Sequence, residues 1–187
     1  MLQRYFDAEP EYTVEEGEAE QVGALPKEGA ITRIGLFFVL LAGVMMAPLF
    51  PNQFISGPIV NALLIIITVM LGLRSAVMMS FLPSLMALVS GLLPPMFAPF
   101  VPFIILSNII FVCIFHKLRL RNYWLAAGTG SVVKFIFLFA ASQIFFNLFL
   151  NQTFARAASL MMSWNQLYSA ALGSLIAYGF LKVIKRI

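Results

Sequence analysis

The sequence predicts an all-α integral membrane protein of six transmembrane helices with both termini on the cytoplasmic side. Three observations carry this expectation: an apolar composition, continuous apolar runs of helical length, and a one-sided distribution of charge. Of 187 residues, 61% are hydrophobic and 11% charged, with a mean hydropathy of +0.93, whereas a soluble domain carries roughly 45–50% apolar and about 25% charged residues. Lipid is the solvent that accommodates such a chain, and it requires every spanning backbone group to be bonded internally. The apolar runs are continuous and do not alternate, which selects helices over a barrel.

Residues 1–29 are polar, acidic and rich in Glu and Gly, and read as a disordered cytoplasmic tail. This opening does not have the short basic region and apolar core of a cleaved signal peptide. Residues 30–187 read as one transmembrane domain with spans at 31–50, 58–73, 75–93, 98–116, 123–149 and 163–182, each near the ~20 residues that cross about 30 Å of hydrocarbon. Pro48, Pro51, Asn52, Gln53, Gly57 and Pro58 separate the first two spans. A tight turn, Gly72-Leu73-Arg74-Ser75, joins the second to the third, and Pro94-Pro95 separate the third from the fourth. His116 to Arg121 form a basic connector before the fifth, and Asn151-Gln152-Thr153 begin the link to the sixth.

All eight acidic residues fall within the first 28 positions, and none follows from Gly29 to Ile187. The basic residues lie at span ends instead of forming a soluble patch, which argues against a nucleic-acid binder. With the N-terminus inside, the cytoplasmic side collects Arg4, Lys27, Arg33, Arg74, Lys117, Arg119, Arg121, Lys182, Lys185 and Arg186, against Arg156 outside. The expected location is therefore the cell membrane, crossed several times.

The same inventory argues against an enzyme and against a resident cofactor. General acid–base pairs and carboxylate metal sites need Asp or Glu, and the membrane domain has none. His116 stands alone at a helix end, and Cys113 is a lone cysteine within an apolar run, so neither makes a metal cluster. Proton relays and cation-driven carriers commonly use intramembrane carboxylates, which disfavours a self-powered transporter. There is no P-loop either, so ATP hydrolysis would come from another chain. The methionine pairs, such as Met45-Met46 and Met161-Met162, suit adaptable packing better than copper handling.

Lys134 stands out, about eleven residues into the fifth span and near mid-membrane. A lysine there costs on the order of 3 kcal/mol, and intramembrane charges mark functional sites by default. On a helical projection Ala127, Ser131 and Ala141 share its face while Phe135 and Phe139 point elsewhere, which turns it toward the bundle. Without an acidic partner, its cation is met by an anionic substrate, by helix carbonyls, or by Asn108 at similar depth in the fourth span. A structural lysine, neutral or bonded to carbonyls, is the competing reading. Asn61, Gln143, Asn147, Asn165 and Gln166 cluster toward the outer half and, with Asn52-Gln53, are candidates to line a pocket open to the exterior. Gln143 lies about 180° from Lys134 on a straight helix, so the two do not serve one ligand atom. Trp124 and Trp164 also suit interfacial anchoring. In the last span Ser169, Gly173 and Ala177 repeat at four-residue spacing, a register that lets helix backbones approach closely; Gly43 and Ala47 make a weaker version in the first.

Gly57-Pro58-Ile59-Val60-Asn61-Ala62, Leu93-Pro94-Pro95, the stretch Pro99 to Asn108, Val133-Lys134-Phe135, and Gln166 ahead of Gly173 occur in that order. Together they make the chain resemble the substrate-binding S components of energy-coupling factor (ECF) transporters over about residues 31–185. The resemblance implies an S-component-like six-helix bundle that captures a vitamin, its precursor or a metal ion near the outer face. It also implies partners: a transmembrane coupling subunit and two ATPase subunits. Metal-specific members use an N-terminal His-rich site, which this chain lacks. Many members carry an Ala-xxx-Ala docking motif in the first helix, where this chain has Gly43-xxx-Ala47.

The expectation is thus a substrate-capture subunit of an importer for a small organic micronutrient, with Lys134, Asn108, Asn61, Gln166, Asn165 and Gln143 as candidate binding residues. The rivals are a non-transporting scaffold subunit and a small-solute channel.

Overall fold

The structure, a computed structural model, describes residues 30–149 and 164–186. The acidic tail and Arg156 lie outside the described residues. Among the described residues seven α-helices follow one another: α1 (Ala30–Met46), α2 (Gln53–Met70), α3 (Leu73–Met79), α4 (Leu82–Val89), α5 (Val101–Leu118), α6 (Tyr123–Phe149) and α7 (Trp164–Val183). Short 3-10 turns at Ala47–Leu49 and Pro95–Phe100 extend α1 and lead into α5. Among the described residues four segments are long and apolar enough to cross a membrane: Ile31–Leu49, Gln53–Met70, Phe97–Leu118 and Tyr123–Ile144.

Two expected spans differ from that description. The run at 75–93 is two short helices rather than one, with the break at Ser80–Phe81. Pro83 explains it, because proline has no N–H to bond back and its ring clashes with the carbonyl four residues earlier, that of Met79. Ser80 closes α3 by donating its hydroxyl to the Ala76 carbonyl at 2.7 Å. The two helices together run from Leu73 to Val89, a rise of only ~26 Å even if continuous. The last helix is 20 residues long, but it opens on Trp164-Asn165-Gln166 and carries several serines, which lowers its apolarity. α2 also begins five residues before the expected start at Pro58. Asn52 caps it, accepting from the Phe54 N–H at 2.9 Å, and Pro58 is accommodated in the second turn. Gly72, at φ +88°, reverses the chain between α2 and α3.

α2 is the central element and packs most extensively on α7, while α5 packs on α6. The small-residue stripe makes the first pairing: Ser169, Gly173 and Ala177 are all buried. A Cβ on Gly173 would stand 2.6 Å from the Pro58 carbonyl oxygen and 2.7 Å from Asn61 Cβ, so only glycine fits there. The α6 stripe Ala127, Ser131, Lys134 and Leu138 is likewise buried, whereas Val132, Ile136 and Phe139 are exposed, as three- and four-residue spacing requires. Two apolar clusters result. The larger includes Leu64, Ile67, Phe111, Phe115 and Ala126, and the smaller is Leu93, Phe97, Phe100, Val101 and Leu138. Along α5 and α6 the clusters are separated by Asn108 and Lys134.

Gly173→Ala should lower stability by about 1–3 kcal/mol, because the overpacked contact is with backbone. Gly179→Ala, where an added Cβ meets nothing within 4 Å, should stay within ~0.5 kcal/mol of the parent. Unfolding of the purified variants in detergent measures both, and equal stabilities would rule out the close α2–α7 seam.

Candidate functional site

Lys134 is 2% exposed, on the inward face of α6. Its ammonium donates to Asn61 Oδ1 at 2.6 Å and to Asn108 Oδ1 at 2.7 Å. Nζ also stands 5.3 Å from the centroid of the Phe111 ring, within cation–π range. One side chain thereby joins α6 to α2 and α5.

The two amides are oriented by what lies behind them. Asn61 Nδ2 donates to the Gly57 carbonyl at 3.0 Å and to Ser169 Oγ at 3.1 Å, and Ser169 in turn donates to the Gln166 carbonyl at 3.1 Å. Asn108 Nδ2 faces the Ser80 carbonyl at 3.5 Å, at the break between α3 and α4. Both amide nitrogens are thus turned away and both oxygens are aimed at the lysine. These oxygens solvate the cation without neutralising it, because an amide contributes a dipole and no charge. When Lys134 is protonated, the cluster carries a charge of +1 that no acidic residue after Gly29 in the sequence balances.

A cavity of about 90 Å³ opens beside this cluster. Its polar lining comprises Lys134, Asn61, Asn108, Gln166, Gln53 and the serines Ser56 and Ser84; Val60, Ala87, Leu93 and Ile104 supply apolar wall. The structure therefore brings four of the sequence candidates, Lys134, Asn108, Asn61 and Gln166, to one place. Gln143 lies on an exposed face of α6, on the opposite side from Lys134 as the projection requires. Asn165 is half-buried and does not line the cavity. The Asn147 side chain lies outside what the structure describes.

Ser84 is the residue that sequence reasoning misses. It is 4% exposed, and its Oγ has no hydrogen-bond partner. In the sequence it is one small polar residue in an apolar run, and only the break before Pro83, which starts a new helix, gives it a place of its own. Pro83 and Ser84, just past the break, are both buried and both line the cavity.

The arrangement can hold an anion or a hydrogen-bonding group. It is not equipped for catalysis by carboxylates, and no group of three potential metal ligands exists among the described residues. Part of the cavity lining, Pro48, Gln53 and Gln166, lies where α1 ends and α2 and α7 begin. Arg33, Arg74, Lys117, Arg121 and Lys182 are at the other ends of their helices or in the connectors there. Tyr123, Trp124 and Tyr178 form an aromatic group at that basic end, with centroids 4.7–5.4 Å apart, as at a membrane interface.

Asn108→Leu should cost about 1.5–3 kcal/mol, the range for a hydrogen bond to a charged group. Adding Lys134→Met removes the stranded cation, so the double variant should be more stable than the sum of the single losses by about 1–3 kcal/mol. Additivity within ~0.5 kcal/mol in unfolding measurements would mean that the pair is not coupled.

Comparison with protein-family models, with curated proteins and with solved structures finds no match to this chain.

Proposed function

We propose that the chain is the substrate-capture subunit of an ECF-type, ATP-driven importer for a small organic micronutrient, a vitamin or its precursor. The observation that carries this reading is Lys134, bonded to two amide oxygens and no carboxylate, beside a cavity lined in part by Gln53 and Gln166 at the helix ends away from the basic residues. In this reading the chain crosses the cell membrane six times: α3 and α4 together make one crossing around their break, and α7 makes the last despite its polar start. Both termini are cytoplasmic, which puts the basic end inside and the Gln53 and Gln166 end outside, where an importer meets its substrate. A discontinuous helix beside a binding site is a recurring transporter feature.

The sequence has no carboxylate in the membrane domain and no nucleotide-binding motif, so energy is supplied by partners: a transmembrane coupling subunit and two ATPases. The rival scaffold reading relies on small-residue faces to bind partner helices, and the clearest of these, on α7, is occupied by α2 within the chain.

Orientation is testable with single cysteines in a Cys113→Ala background. A membrane-impermeant maleimide added to intact cells should label Phe50→Cys, at the Gln53 end, and should label Arg121→Cys only after permeabilisation. The opposite pattern would place the Gln53 end inside and end the importer reading.

Purification of the full chain from its native membrane should bring down a membrane partner and ATPases, with a small molecule released on denaturation. Lys134→Met should retain the partners and lose the small molecule. Stoichiometric partners without ATPases would favour the scaffold instead.

A further inference from the structure

We infer that the cavity selects a monoanion, a carboxylate on a short apolar stem, seated head-inward with Lys134 and Ser84 as its donors. This rests on the reading of the cavity as a capture site and adds the chemistry of what is captured.

Charge sets the first limit. Lys134 is the one ionisable residue among those lining the cavity, and no acid follows Gly29 anywhere in the sequence. A single negative charge neutralises the site, whereas a phosphate dianion would leave an unpaired charge in a medium where that is costly. A cationic head group is repelled outright.

Donor inventory sets the second. An ammonium has three N–H donors, and Asn61 and Asn108 take two of those of Lys134. Ser84 adds a hydroxyl, almost wholly buried and without a partner. A carboxylate only accepts, with two oxygens, and so suits both donors. A primary amide brings two N–H groups of its own and no charge for the lysine.

Size and wall chemistry set the third. A cavity of roughly 150 Å³ lined by apolar side chains holds a benzene ring, so 90 Å³ encloses a head group and a short stem. Val60, Ala87, Leu93 and Ile104 give that stem an apolar wall, and Gln53 and Gln166 remain for the rest of the ligand.

The test uses the full chain in nanodiscs, with saturation-transfer NMR and thermal stability read on a panel of probes at constant pH and ionic strength. Sodium propionate and butyrate should bind at about 10 mM, within reach of the binding energy of so small a fragment. Propionamide, butyramide, butylammonium, phosphate and chloride should not. Ser84→Ala should weaken butyrate about tenfold, the loss of a hydrogen bond to a charged group, and Lys134→Met should abolish its binding. Amides binding as well as the acids, phosphate or chloride displacing butyrate, or no carboxylate binding would each overturn the assignment. Because the probe panel is read on the parent chain, the outcome does not depend on a variant folding. Absence of ATPases in the purification would overturn the importer reading and leave this head-group assignment standing, while amide binding would do the reverse.

Discussion

The ammonium of Lys134, held between two asparagine oxygens in a domain without a single carboxylate, is the constraint around which the bundle is arranged. A cation at this depth must be solvated by protein, because lipid and apolar side chains offer it nothing. Each acceptor then needs its own support, or the amide would turn and present its nitrogens. On the α2 side that support is Ser169, which reaches Asn61 because Gly57 and Gly173 let α2 and α7 approach closely. On the α5 side it is the Ser80 carbonyl, at the break between α3 and α4. The small-residue seam and the broken helix, which look unrelated in the sequence, both serve one polar cluster.

Much of this cluster is legible in the sequence alone. The burial of Lys134 follows from three- and four-residue spacing along α6, and its pairing with Asn108 from equal depth in adjacent spans. The start of α6 agrees with the expected span because Asn122 caps it, accepting from the Trp124 and Leu125 N–H groups at 2.8 and 3.2 Å. Asn61 is harder to place. With Pro58 read as the start of the helix, Asn61 falls in the first turn, near the outer surface; with Asn52 as the cap it falls in the third turn, deep enough to meet the lysine. The break at Ser80 escapes sequence reasoning for a related reason. Hydropathy sums a window and is insensitive to one proline within an apolar run, although Pro83 removes a donor that a continuous helix needs. Without that break, nothing singles out Ser84.

Two other candidates show what polarity alone does not decide. Gln143 and Asn165 group with the site in the sequence because they are polar and near the same end. A helix distributes neighbours around its axis, so depth selects a layer and only phase selects a face. Gln143 fails on phase, and Gln166 succeeds because it shares the packed face of α7 with Ala170 and Gly173.

The absence of acids bears on how a capture site would work as well as on what it would hold. A buried lysine paired with Asp or Glu has its charge cancelled, and removing one partner of such a pair typically costs about 3–5 kcal/mol. An external anion would then have to displace a partner of equal charge. Amide oxygens leave the lysine solvated but uncompensated, so an incoming anion adds charge balance without breaking a salt bridge. Under the capture reading this makes the neutrality of Asn61 and Asn108 as important as their hydrogen bonds. An aspartate at either position would stabilise the cation and close the site to anions. The acid-free membrane domain is then a requirement of keeping one positive charge available, in a place where few other arrangements would leave it so.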